Sequence, residues 1–280
     1  MVLSIITINR NNAVGLEKTI RSVAHQTCGE FEYVIIDGAS TDNSVEVIKS
    51  YEKEIGSLQW LSEPDTGIYN AMNKGIKMAR GKYIQILNSG DCLASDDVTE
   101  RMLANLEKVG RPSILYGNMI KAKSGRRDIV DKCFAGKDIT LYGMYTGTLN
   151  HSPAYISRDL FDKYGYYDES LKIVSDWKWY LEAIVLGDVR PIYTDINVTL
   201  FDMTGISETN IPLLKEERRR VLEALIPMPV LSDYDRYFTA MSQYERLKRH
   251  PWAYKMTWLL ERVLFKIERW QNRIKRVSSK

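Results

Sequence analysis

Residues 2–8 form a nearly continuous apolar run, Asn9-Arg10-Asn11-Asn12 break it, and apolar positions then recur at Leu16, Ile20 and Val23 with helical spacing. The same strand, loop and helix unit repeats at 31–36 and 45–51, at 58–61 and 68–78, and at 83–87 and 98–106. Strands alternating with helices predict an α/β fold, a parallel sheet covered by helices on both faces. Ligands of such sheets bind beyond the carboxyl ends of the strands. After a strand near 113–116 the pattern is less regular, with short strands expected within 129–134, a Gly- and Tyr-rich stretch at 141–147, and helices near Leu160 and Trp177.

Polar and acidic residues gather at the expected strand ends: Thr7 and Asn9, Asp37, Glu63 to Asp65, and Asn88 to Asp91. In Asp37-Gly38-Ala39-Ser40-Thr41-Asp42, Asp37 can accept hydrogen bonds from a nucleobase or ribose, and Gly38 permits close approach of the backbone. Ser40, Asp42 or Asn43 equally suits the cap of the next helix, with Glu46 completing a capping box from Asn43. The stretch from Glu63 to Gly75 reads as a turn entering a helix capped by Asp65 or Thr66; Tyr69 and Asn73 share one face of that helix, with Lys74 adjacent, where a diphosphate could be met. In Asn88-Ser89-Gly90-Asp91, a carboxylate beside a glycine suits Mg²⁺ or Mn²⁺ that keeps its waters and binds substrate phosphates; a plain surface turn is the alternative.

Taken in this order and spacing, the three motifs resemble the inverting family 2 glycosyltransferases, whose fold is the GT-A nucleotide-diphospho-sugar type, and the resemblance covers roughly residues 2–205. It implies a hexosyltransferase-type enzyme, a nucleotide-diphosphate-sugar donor with UDP preferred, and a divalent ion, Mn²⁺ or Mg²⁺, at Asp91. Ser89 stands where the first aspartate of the usual Asp-x-Asp metal motif would be. Asn150-His151-Ser152-Pro153-Ala154-Tyr155 and Ser175-Asp176-Trp177-Lys178-Trp179 are similar to bacterial members that build cell-surface polysaccharides, which implies Asp176 as catalytic base and a glycan or polyprenyl-linked acceptor. Inverting displacement needs such a base for the acceptor hydroxyl and a metal to offset charge on the leaving phosphate. The expected donor-binding set is Thr7, Asn9, Asp37, Gly38, Ser40, Asp65, Lys74, Ser89 and Gly90, with His151 and Trp177 toward the acceptor. Packing is the plainer role for Trp177 and Trp179, and helix capping for Ser175 and Asp176. A nucleotidyltransferase or a non-catalytic nucleotide-sugar binder are the competing readings. The first lacks a basic, Gly-rich loop near the N-terminus, and the second has no need of Asp176.

Charge changes the picture only at one end. The formal net charge is +3, yet residues 245–280 hold 11 Lys or Arg against 3 Glu, which leaves 28 basic against 33 acidic residues in the rest. A nucleic-acid partner for the body is therefore not expected. The domain reading is 1–205 catalytic, divided into a nucleotide-sugar half at 1–118 and an acceptor half at 119–205, followed by a helical extension at 206–280. In that extension Met256, Leu260, Val263, Ile267, Trp270, Ile274 and Val277 alternate with Lys266, Arg269, Arg273 and Lys275, a basic amphipathic helix suited to an anionic membrane surface or to a homodimer seam. Residues 201–210, containing Gly205 and Ser207, are a candidate lid. No apolar stretch reaches transmembrane length and the N-terminus does not read as a signal peptide. Three cysteines without close spacing, Cys28, Cys92 and Cys133, fit a reducing compartment, so the expected location is cytoplasmic, with peripheral attachment to the inner membrane face allowed.

Overall fold

The computed structural model describes residues 1–121, 128–203, 205 and 209–278, with side chains to Gln271. Its first half follows the expected alternation: β1 (Leu3–Asn9), α1 (Ala13–Ala24), β2 (Phe31–Asp37), α2 (Ser44–Tyr51), β3 (Leu58–Ser62), α3 (Ile68–Met78) and β4 (Tyr83–Asn88). β1 and β2 are buried along their whole length, as strands covered on both faces must be, so their sequences read as runs rather than as alternation. After β5 (Cys92–Leu93) and α4 (Val98–Lys108) come β6 (Ile114–Lys121), β7 (Ile129–Asp131), α5 (Leu141–Thr146), β8 (Ala154–Ser157), α6 (Asp159–Tyr164), α7 (Ser175–Tyr180) running into a π-helical turn (Leu181–Leu186), and β9 (Ile192–Phe201). The Gly- and Tyr-rich stretch is thus helical, capped by the Thr140 hydroxyl.

Among the described residues the strands form one curled, mixed sheet in the order β3-β2-β1-β4-β8-β6-β9-β5, with β7 on β6. The four N-terminal strands are parallel, and their registers set Asn9 beside Asp37, Asp37 beside Ser62, and Ile8 beside Asn88. β8 runs antiparallel to β4, so the residues just before β8 lie at the carboxyl end of β4. β6 is antiparallel to β8, and β9 is parallel to β6, so β9 also ends on that side. β5 then pairs Cys92 with Leu200, drawing Asp91 toward the end of β9. Connectivity therefore collects residues near 9, 37, 65, 91, 151 and 202 at one rim.

Two expected caps are not made. Asn43 forms no side-chain cap on α2, so the Asn43 and Glu46 box is absent; Asp42 instead accepts from Ser44 N at 3.1 Å and from Ala13 N at 2.9 Å, tying two helix starts together. α3 begins after Gly67 without a side-chain cap of its own.

The first compact unit runs from Met1 to Val221, and the second from Leu222 onward. The first extends past Gly205 because Glu217 of α8 (Ile211–Leu225), 4% exposed, accepts hydrogen bonds from Lys172 N and Ile173 N at 2.8 and 2.9 Å. The second holds the end of α8, α9 (Met228–Lys248) and α10 (Pro251–Ser278), with Tyr244 packed edge-on against Tyr254. No described helix is long and apolar enough to cross a membrane. Residues 204 and 206–208 of the candidate lid, and the side chains of Arg273, Ile274, Lys275 and Val277, lie outside the described residues.

Candidate active site

A cavity of about 410 Å³ opens at the carboxyl rim, walled by Asn9, Asp65, Ser89, Asp91, His151, Asp176 and Asp202 among others. The ends of β1, β2 and β3 build one corner of it. Asp37 is fully buried and accepts from Asn9 Nδ2, Ser40 N, Ser40 Oγ and Ser62 Oγ at 2.6 to 2.9 Å. Burial pushes its carboxyl up, but these donors outweigh burial and hold it below the ordinary aspartate value. Asn9 then turns Oδ1 away from Asp37, buried and with no hydrogen-bond partner, while lining the cavity. Arg10 pairs with Asp65 at 3.6 Å. Gly38 permits this, because a Cβ there would lie 2.1 Å from Asp65 Oδ2.

Asp91 sits in the turn after β4. Gly90, at φ +108°, makes the turn possible and lets Asp202 approach. Asp91 is 2% exposed; its Oδ1 accepts from Asp202 N at 2.9 Å, and its Oδ2 has no hydrogen-bond partner. Burial raises its carboxyl to about 6, against the lowering influence of the Asp202 amide and of His151. A buried carboxylate oxygen without a donor is costly unless a cation completes it.

Across the cavity stands a second carboxylate. His151, just before β8, places Nδ1 2.9 Å from Asp176 Oδ2, and the Tyr69 hydroxyl from α3 reaches Asp176 Oδ1 at 3.0 Å and Ile173 O at 2.6 Å. Burial works to raise the Asp176 carboxyl, but the hydrogen bond and charge of His151 and the bond from Tyr69 prevail, and it lies below the ordinary value. For His151 burial works downward, and Asp176 and Asp91 overcome it, so the imidazole lies above its ordinary value. Each group thus favours the charged form of the other.

The Glycosyl transferase family 2 profile matches residues 4–168. The chain belongs to that family. It is 31% identical over 218 residues to an uncharacterized glycosyltransferase of Mycobacterium tuberculosis (strain CDC 1551 / Oshkosh), covering 75% of this chain and 78% of that one. Its fold is similar to that of Staphylococcus aureus TarS residues 1–349 in complex with UDP-GlcNAc, with a TM-score of 0.64 and 18% identity, over 81% of this chain and 68% of that one. It is also similar to the mannosyltransferase PcManGT from Pyrobaculum calidifontis in complex with GDP-Man and Mn²⁺, with a TM-score of 0.58 and 16% identity, over 74% of this chain and 58% of that one. The mixed α/β sheet is thus that of GT-A enzymes, and the chain is a transferase.

In this glycosyltransferase the expected site residues divide by depth. Asn9, Asp65, Ser89, Asp91, His151 and Asp176 line the cavity. Thr7 does not: it is fully buried and accepts from Tyr33 Oη at 2.9 Å, being two residues, roughly 6–7 Å, back along β1. Asp37 and Ser40 do not line the cavity; both meet the Asn9 side chain, which donates Nδ2 to Asp37 Oδ1 at 2.8 Å and to Ser40 Oγ at 3.3 Å. Gly38 and Gly90 act through the close approaches described above. Lys74 is taken up by Pro64 O and Glu63, at 2.8 and 2.7 Å, and does not face the cavity. Asn73, expected beside it at a diphosphate, instead exchanges both amide bonds with the Tyr167 backbone, and Tyr69 holds Asp176. Asp65 accepts from Gly67 N without capping α3. Asp176 does not cap α7, whose N-cap is Val174.

Both tryptophans pack. Trp177 is 2% exposed, donates to Met144 O at 2.8 Å and carries the Arg218 guanidinium over its ring, while one side of it lines a second, smaller cavity; Trp179 stacks on Phe161. Asp202 and Asn12 are cavity residues that motif reasoning missed. The signal for Asp202 was the period-2 pattern Ile192, Thr194, Ile196, Val198, Leu200, which marks β9 and hence its end.

Proposed function

We propose that this glycosyltransferase moves a sugar from a nucleotide-diphosphate donor to a hydroxyl of a glycan or lipid-linked acceptor by single displacement with inversion, in cell-surface polysaccharide assembly. The observation that carries the reading is the pairing, in one cavity, of an ionised carboxylate held by His151 and Tyr69 with a second, buried carboxylate whose Oδ2 has no partner.

Asn9 Oδ1 suits an imide N–H of a donor base such as uracil, and TarS, solved with UDP-GlcNAc, supports a UDP-sugar. The open Oδ2 of Asp91 fits the divalent ion that PcManGT carries as Mn²⁺, with Asp202 beside it. Among the described residues no set of three or more His, Cys, Asp or Glu side chains can hold a metal, so the remaining ligands would be water and donor phosphate. The ion would supply charge neutralisation for the departing diphosphate. Asp176 takes the proton of the acceptor hydroxyl at a carboxylate oxygen, and His151 on Oδ2 and Tyr69 on Oδ1 fix the orientation of the carboxylate. Asp37 and Ser40 hold Asn9 in place for the base.

In the second unit, α10 exposes Met256, Leu260, Val263, Ile267 and Trp270, each 44% exposed or more, beside Lys255, Arg262, Lys266 and Arg269. This supports attachment of the helix to an anionic membrane surface, where a lipid-linked acceptor would be presented.

The direct test is thermal unfolding with UDP, GDP, dTDP and CDP, each with and without Mn²⁺, on the wild type and on Asp91→Ala. A melting temperature raised by one nucleotide only when metal is present, and lost in the variant, is the expected result. If no nucleotide stabilises the protein under any metal condition, the donor site is misassigned.

A further inference from the structure

A second cavity of about 170 Å³ adjoins the first and shares His151, Ile173, Asp176 and Phe201 with it. Asp176 and His151 therefore face both spaces. Asn9, Asp65 and Asp91 belong to the first cavity alone, whereas the second is mostly apolar and carries two cations, Lys121 and Arg218.

The cations differ. Lys121 is neutralised by Asp131 Oδ2 at 3.0 Å. Arg218 lies over the Trp177 ring at 4.9 Å, its Nε is buried without a hydrogen-bond partner, and it makes no ion pair among the described residues. Its position is fixed: Glu217, the preceding residue, grips the amides of Lys172 and Ile173, so the first turns of α8 are pinned to the loop that leads to Asp176. Burial disfavours the charge of Arg218, and only the field of Asp176 works against that. A guanidinium held in a half-dry cavity, with its planar fork unmatched, suits a bound oxyanion.

We propose that the second cavity is the acceptor subsite and that Arg218 selects an acceptor bearing an anionic group, phosphate or carboxylate, near the hydroxyl presented to Asp176. The proposal rests on the reading of Asp176 as the base. Displacement with inversion requires the acceptor and the leaving nucleotide on opposite faces of the reacting carbon, and the two cavities meet at Asp176. A phosphate would come from a lipid-diphosphate carrier and a carboxylate from a uronic acid in the glycan; the guanidinium fork recognises either.

The test is ligand-detected NMR titration of the full chain, held saturated with UDP and Mg²⁺, using methyl phosphate, glucuronate and glucose as probes. At least one anion should bind roughly tenfold or more tightly than glucose. Arg218→Gln should abolish that preference, and Arg218→Lys, which keeps the charge but not the fork, should retain part of it. Preference for methyl phosphate alone assigns the anion to a lipid carrier, and preference for glucuronate alone assigns it to a glycan. Anions binding no better than glucose to the wild type, or a preference that survives Arg218→Gln, overturns the proposal. The thermal response to UDP separates the two claims: its loss in the wild type strikes the donor reading, whereas its retention in Arg218→Gln shows that the neighbouring site is intact. Should Arg218→Gln fail to fold, an anion preference reduced in Arg218→Lys counts for the proposal and an undiminished one counts against it.

Discussion

His151 Nδ1 lies 2.9 Å from Asp176 Oδ2, although the two residues are 25 positions apart and arrive on different elements. The contact sets the ionisation of both: without it, burial would push the carboxyl upward and the imidazole downward.

Replacing Asp176 by Asn should lower kcat by about 10²–10⁴-fold, the usual worth of a general base, while the UDP-dependent thermal shift persists. Replacing His151 by Gln removes the largest influence that holds the Asp176 carboxyl low, so the acid limb of kcat/KM should move to higher pH. An unmoved limb would mean that Asp176 does not titrate in catalysis.

Asp91 should oppose folding when it is ionised. Its carboxyl is raised from 3.8 to about 6, so the folded state takes up a proton more readily than the unfolded chain, and the stability this lends below pH 4 is lost as pH rises through 6. Asp91→Asn should therefore be more stable than the wild type by up to about 3 kcal/mol at pH 7.5 in chelator, with no difference at pH 3.5 and with no response to Mn²⁺. Chemical denaturation at the two pH values measures this.

Gly38→Ala should destabilise the protein by about 1–3 kcal/mol, because the new methyl must displace the Asp65 carboxylate that Arg10 holds. Adding Asp65→Ala should recover part of that loss, and a double-mutant cycle reads the coupling. Strict additivity would show that the strain is released elsewhere.

Co-sedimentation should find the protein on vesicles of anionic phospholipid and not on zwitterionic ones, with binding weakened by salt. Reversing Arg262, Lys266 and Arg269 to Glu should reduce partitioning by roughly two orders of magnitude or more, at about 1 kcal/mol per cation. Concentration-dependent dimerisation without vesicle binding would instead assign the apolar stripe to a second copy.

The strands and helices of the first half were legible because β1, β2 and β4 are predominantly apolar runs that end in polar residues, and Asn9, Asp91 and Asp176, which the fold brings to one cavity, could be picked from those ends and from the resemblance. β9 was missed although Ile192 to Leu200 alternates, because its polar partners Asp195 and Asn197 make it read as a loop. The role of Tyr69 was also illegible. Helical spacing shows that it shares a face with Asn73, but not that this face meets the loop at 167–176, roughly a hundred residues away.

The sequence by itself determined the alternation of strand and helix, the family, and which carboxylates stand at strand ends, since periodicity and turn chemistry are local properties. The tertiary structure alone decided that Thr7 and Trp177 are buried, that Asp37 accepts from the Asn9 side chain, that Asp91 keeps an unpartnered oxygen, and that Arg218 reaches the cavity beside Asp176. Those outcomes depend on burial and on which distant residue supplies the hydrogen bond. The antiparallel return of β8 and the docking of α8 fix both, and neither leaves a periodic trace in the chain.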